Sequence, residues 1–220
     1  MIGLNISKPT HAPLHVLCLG AHADDIEIGC GGTLLQLKER WKHITFHWVV
    51  FSADGIRLNE AREAASLFTA NCECIAEIKE YRDSFMSYYG ASVKEVFEDL
   101  KKRIDPDLVF THWQGDAHQD HRLIAELTWN TFRNNLILEY EIPKYDGDLG
   151  RPNVFIHLTL NSCEEKVSNL LKVFKSQRPK SWFSAETFLG LMRLRGIESN
   201  SASGYAEAFY ARKVVLTSLD

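Results

Sequence analysis

Two short stretches hold most of the residues that could do chemistry. His22-Ala23-Asp24-Asp25-Ile26-Glu27 places one imidazole and three carboxylates within six positions. His112, Asp116, His118, Asp120 and His121 put three of the nine histidines within ten residues. Imidazole nitrogen and carboxylate oxygen are donors that Zn²⁺ takes, and a catalytic zinc uses three protein ligands and leaves a position for water. His22, Asp25 and His121 could supply such a set, because a three-residue spacing can converge on one ion where a loop enters a helix. Asp24 would then point elsewhere, next to the bound water, and adjacent carboxylates with different neighbours can divide the roles of ligand and base. A plainer reading competes. Aspartates at a helix start are commonly caps, and Asp24 or Asp25 could cap a helix beginning near Ile26. Either cluster alone leaves that choice open; two clusters on one rim of a fold favour a metal site.

The elements that must position these residues follow from hydrophobic patterning. LHVLCLG (14–20) and ITFHWVVF (44–51) read as buried strands, CECIAEI (72–78) as a third and DLVFTHW (107–113) as a fourth. Helical spacing covers about 28–41, 58–69, 92–103 and 121–134. Further strands are expected near 136–141 and 153–159, and helices near 163–175 and 184–195. Strand and helix alternate from residue 14 to about 134, which implies a mostly parallel central sheet with helices on both faces, a Rossmann-like α/β three-layer sandwich. Ligands of such folds sit outside the carboxyl ends of the strands, and loops 21–27 and 113–121 both follow strands directly. One domain over 1–220 is expected, with 1–13 as a polar leader.

The stretch AHADDIEIGCGGTL resembles the AHPDDxE…G-G-T-L signature of the LmbE-like, or PIG-L, metal-dependent N-deacetylases, and HQDH (118–121) resembles that family's H-x-D-H motif. Arg57-x-x-Glu60-Ala61 with Ala64-Ala65, and YAEAFY (205–210), are further echoes, so the resemblance runs over nearly the whole chain. It implies His22, Asp25 and His121 as zinc ligands and Asp24 as general base. It further implies that His118 stabilises the oxyanion or protonates the leaving amine, that Asp120 orients His118, and that Arg57 lies near the substrate. Arg57 could instead be a helix-start residue paired to Glu60. Two positions depart from the pattern. Ala23 stands where the family usually has proline, and Asp116 where some members have a tyrosine that assists the oxyanion.

The activity so implied is removal of an acetyl, or other acyl, group from an N-acylated amino sugar or glycoconjugate by metal-activated water. Fe²⁺, Mn²⁺ or Co²⁺ can take the place of Zn²⁺ at a His/Asp/His site. A non-enzymatic metal- or sugar-binding protein on the same fold is the alternative, disfavoured by Asp24 standing beside a full ligand set. A dinucleotide site at Gly29-Cys30-Gly31-Gly32 is disfavoured because no third glycine completes the G-x-G-x-x-G spacing.

Composition bounds the partners. Hydrophobic residues make up 45% and charged residues 25%, an ordinary globular balance. The net charge of −4 argues against a nucleic-acid surface. No apolar run reaches the roughly 20 residues of a membrane span, and the first fifteen residues lack the pattern of a secretory signal. Five irregularly spaced cysteines suit a reduced, cytoplasmic protein. Homo-oligomerisation is compatible with all of this. His112, at a strand end, divides evenly between contact with the site and packing. Trp113, Gln114, Tyr145, Trp182 and Tyr205 are candidates for a sugar platform, each with packing as the plainer role. Loops 139–153 and 196–204 are candidates for the rim of the pocket.

Overall fold

The computed structural model describes residues 8–215 except residue 10, so most of the expected leader lies outside the described residues. Seven strands form one sheet: β1 (Leu14–His22), β2 (Ile44–Ser52), β3 (Glu73–Ile78), β4 (Leu108–His112), β5 (Leu136–Tyr140), β6 (Val154–His157) and β7 (Ala206–Tyr210). Six helices accompany them: α1 (Asp25–Arg40), α2 (Gly55–Phe68), α3 (Gly90–Arg103), α4 (Gln119–Thr131), α5 (Leu160–Val173) and α6 (Ala185–Glu198). The spatial order is β3-β2-β1-β4-β5-β7-β6. Strands β1 to β5 are mutually parallel, with Leu14 opposite Ile44 and Val16 opposite Leu108, while β7 runs antiparallel between β5 and β6.

The pleat of β1 sorts its side chains between two cores. Leu14, Val16 and Cys18 pack with α1, α2, α5 and α6 on one face. Leu17, Leu19 and Ala21 pack with Val93, Phe97 and Leu100 of α3 and Ile124 of α4 on the other. Strands buried on both faces read as continuous apolar runs, which is why 14–20 and 44–51 were legible as such. Chain order reverses beside β1, whose neighbours are β2 and β4, so the carboxyl ends of β1 and β4 open a crevice at the switch point.

The YAEAFY motif, which carries no element assignment in the sequence, forms β7 over its last five residues. The helices expected near 163–175 and 184–195 are α5 and α6, whose starts are set by Thr159 and Ser184, capping them by accepting from Ser162 N and Thr187 N. Segment 139–153 is only partly a loop: Glu139 and Tyr140 belong to β5, and Glu141 is buried against Arg195 (2.7 Å). The turn before β7 has contacts to Leu158 and Arg193, neither of them a candidate site residue. No helix among the described residues is long and apolar enough to cross a membrane.

Candidate active site

The crevice between β1 and β4 gathers the two polar clusters. β1 delivers His22 at its last residue, and the chain turns at once into α1, whose first residue is Asp25. An ionised carboxylate is favoured in that first turn by the helix dipole. β4 ends on His112, and the loop beyond it leads to His118, the N-cap of α4, with Asp120 and His121 in the first turn.

Three donor atoms converge. His22 Nδ1 lies 3.1 Å from His121 Nε2 and 3.3 Å from Asp25 Oδ2, and His121 Nε2 is 3.5 Å from Asp25 Oδ2. A tetrahedral ion with ligands at about 2.1 Å has ligand–ligand edges of about 3.4 Å, so the triangle has the size such an ion requires. All three residues are buried. Asp25 is held in place by His22 N, which donates to its Oδ2 (2.6 Å). Other triads within metal-binding reach of one another are His22/His118/His121, Asp25/His112/His121 and His22/Asp83/Asp120.

The groups around the triangle fix its members. His121 Nδ1 meets Asp116 Oδ2 at 2.9 Å, and Lys144 Nζ lies 3.1 Å from Asp116 Oδ1. Asp116 therefore supports the imidazole of His121, and its carboxyl is held well below the usual range: burial opposes this, but His121, His112 and Lys144 outweigh it. His112 is in contact with the site. Its ring stacks on His121 at 3.9 Å between centroids, its Nε2 lies 3.2 Å from Asp25 Oδ2, and Ala21 N donates to it (2.9 Å). Burial, with His112 second, lowers His121 to about 4, so its imidazole is neutral. His22 behaves oppositely. Burial pulls it down, yet Asp25, Asp120 and Asp83 together raise it, so this cluster of carboxylates calls for a positive charge among them.

Asp24 is the nominal N-cap of α1 but makes no side-chain capping bond, so capping does not account for it. Its Oδ1 lies 3.4 Å from Arg57 Nη2. Burial and the neighbouring Asp25 raise its pKa, against Arg57 and His22. Arg57 also meets Asp83 (3.1 Å), whereas Glu60 accepts from Ser176, so the Arg57–Glu60 pairing is not formed. His118 stands edge-on to His22, with ring centroids 4.8 Å apart. Its Nδ1 accepts from Asp120 N (3.2 Å), which places the proton of a neutral ring on Nε2. The Asp120 carboxylate does not bond His118; it accepts from Ser84 N and Met86 N and approaches His22 Nε2 at 3.4 Å. Glu27 is fully buried, without a hydrogen-bond partner on either oxygen, and burial pushes its carboxyl well up.

Asp83 and Lys144 escaped the sequence reading. Each lies in a loop far along the chain from the residues it supports, with no spacing signal. Trp113, offered as a sugar platform, is stacked on Tyr210 at 4.6 Å and so is used in packing.

A mostly parallel α/β sheet with a buried His/Asp/His cluster and an adjoining carboxylate, Asp24, at its switch point defines a class of site suited to metal-assisted hydrolysis. Comparison with known proteins narrows it. The model of the PIG-L family, GlcNAc-PI de-N-acetylase, matches residues 17–132, more than half of the chain, and the chain belongs to that family. The uncharacterized deacetylase YaiS of Escherichia coli K12 is 30% identical over 141 residues, 58% of this chain and 74% of YaiS. The N,N'-diacetylchitobiose deacetylase of Pyrococcus horikoshii superposes with a TM-score of 0.66 at 23% identity, covering 90% of this chain and 83% of that one. The 4-carboxy-2-hydroxymuconate hydratase GalB of Pseudomonas putida gives 0.74 at 17% identity, covering 93% and 98%. The chain is thus a member of a deacetylase family on a shared α/β fold.

Proposed function

We propose that this protein is a zinc-dependent deacetylase that removes the acetyl group of an N-acylated amino sugar or glycoconjugate. The observation that carries the reading is the convergence of His22 Nδ1, Asp25 Oδ2 and His121 Nε2 to within 3.1–3.5 Å of one another, with Asp24 alongside and not part of the triangle. Those three residues would hold the ion. A bound divalent cation supplies Lewis-acid polarisation of the amide carbonyl and a water of lowered pKa.

The chain's own groups do the rest. Asp24, which stands beside the three ligands without being one of them, accepts the proton of the attacking water. Arg57, against Asp24 and Asp83, keeps the carboxylate oriented and faces the sugar. His118, with its proton set on Nε2, donates to the oxygen that gains charge as the carbonyl becomes tetrahedral. The amine departs with a proton from Asp24 or His118. A cytoplasmic location belongs to the same reading and is supported by the five free cysteines.

Asp24→Asn tests the assignment. Acetate release from an N-acetyl amino sugar should fall by at least about 100-fold while the metal content stays at the wild-type level. Full turnover in a variant that retains its metal would remove Asp24 as the base.

A further inference from the structure

The segment after β5 is fastened at both ends. The Arg195 guanidinium donates to Glu141 Oε1 (2.7 Å) and to Gly150 O (3.2 Å). A Cβ on Gly150 would lie 2.8 Å from the Trp113 ring, so that end is seated against the Trp113–Tyr210 stack. Between these ends, residues 144–149 bury no apolar side chain, and Tyr145 is 71% exposed. What holds them down is polar. Tyr145 Oη and Ser181 Oγ share a hydrogen bond (3.1 Å). Burial raises the Asp24 carboxyl, and Lys180, the neighbour of Ser181, is among the cations that oppose it, so this tether ends on the Asp24 side of the crevice.

The second tether is Lys144. Its ammonium donates to Asp148 Oδ2 (2.5 Å) and lies 3.1 Å from Asp116 Oδ1, and its side chain is only 9% exposed. Asp148 also accepts from Ala117 N (2.6 Å). Asp116 Oδ2 meets His121 Nδ1 at 2.9 Å, and His121 Nε2 is a corner of the donor triangle. An unbroken chain of polar contacts thus runs from segment 144–149 to the candidate centre. It passes charge in both directions. An ion on His121 Nε2 confines the ring proton to Nδ1, where Asp116 accepts it. A neutral ring without an ion can carry its proton on either nitrogen, and a bare Nδ1 repels the Asp116 carboxylate. A segment without buried apolar contacts opens at little cost, so a change of this kind decides whether it stays down.

We infer that residues 144–149 form a strap at the rim of the crevice whose closure is coupled to occupancy of the metal site, and that Lys144 is the positioning residue that couples them. The coupling is reciprocal: a bound divalent ion favours the closed strap, and the closed strap strengthens the hold on the ion through Asp116 and His121. The rim is therefore complete only around a loaded site. This inference rests on the metal reading of the donor triangle and adds to it a means by which the loaded state is felt at the surface.

The test reads the strap at Lys144 itself. The full chain, metal-free and loaded with Zn²⁺, is treated with acetic anhydride, and acetylation is followed by mass spectrometry at Lys144 and at the exposed Lys42. Loading should slow Lys144 about tenfold, the size of a typical coupling between sites, and leave Lys42 unchanged. Lys144→Met should weaken Zn²⁺ binding about tenfold in competition with a chelating dye, and Lys144→Arg, which keeps the charge, should recover most of it. Tyr145→Phe removes one exposed hydroxyl and leaves the core intact, so it tests the strap even if Lys144→Met fails to fold. It should speed acetylation of Lys144 in the loaded protein. Zn²⁺ that binds the wild type and leaves the Lys144 rate unchanged overturns the inference alone, as does a folded Lys144→Met with wild-type affinity. Wild type that takes up no Zn²⁺ removes the metal reading and the inference with it.

Discussion

His22 offers its two ring nitrogens to different neighbourhoods. Nδ1 faces Asp25 and His121, while Nε2 faces Asp83 at 3.2 Å and Asp120 at 3.4 Å. An imidazole held by carboxylates on one nitrogen is fixed in direction and made more basic on the other. His121 is treated likewise, with Asp116 on Nδ1 and Nε2 toward the triangle. Asp116→Asn should therefore weaken Zn²⁺ binding by about tenfold, read by competition with a chelating dye. Unchanged affinity would reduce Asp116 to a loop brace for His118 N, which also donates to it (2.7 Å). At this scale the sequence was informative where residues were dense: His22, Asp24 and Asp25 fall into one short stretch and His118, Asp120 and His121 into another. It was uninformative for Asp83 and Lys144, single charged residues whose meaning comes only from what the fold brings beside them. The role given to Asp120 changed because its backbone N–H, and not its carboxylate, meets His118.

Helix α1 carries Asp25 and follows Asp24, so whatever sets α1 sets the site. Its interior holds Gly29, Gly31 and Gly32, a costly composition for a helix. All three glycines are needed for close approach, Gly31 because a Cβ there would lie 2.7 Å from the Phe68 ring. A Cβ on Gly29 would lie 2.2 Å from the Tyr140 ring, and one on Gly32 would lie 2.7 Å from Leu158. Tyr140 in turn donates to Leu19 O (2.6 Å) and faces His112. A buried ion pair then fastens the helix. Lys166 donates to Ile28 O and to Glu207 Oε1, each at 2.6 Å, and Glu207 accepts from Gly32 N (2.8 Å) and Thr33 N (2.7 Å). Lys166→Met leaves a buried carboxylate short of its cation and should destabilise the fold by about 3 kcal/mol, seen as a lower denaturant midpoint. A midpoint equal to wild type would show that the two N–H donors alone satisfy Glu207. The family echo YAEAFY is this anchor: Glu207 is its third residue. Sequence reasoning left it as a motif without an element, because five residues after a Gly/Ser-rich turn give too short a period to read as a strand.

For the molecule as a whole, the alternation of apolar runs with amphipathic segments was enough to derive a parallel sheet covered on both faces, and hence which loops share a rim. The antiparallel β7, inserted between β5 and β6, was not derivable, since non-local pairing leaves no mark on local periodicity. The architecture does not choose the reaction. GalB, a hydratase, shares it over nearly its whole length, so function has to be argued from the site. The central claim is that His22, Asp25 and His121 form one metal site. The most direct measurement is metal content per chain for the wild type and for His121→Ala, each purified without added metal or chelator. The account predicts about one divalent ion per wild-type chain and little in the variant, with added Zn²⁺ raising the melting temperature of the wild type alone. Metal-free wild type that also fails to take up added Zn²⁺ would contradict it.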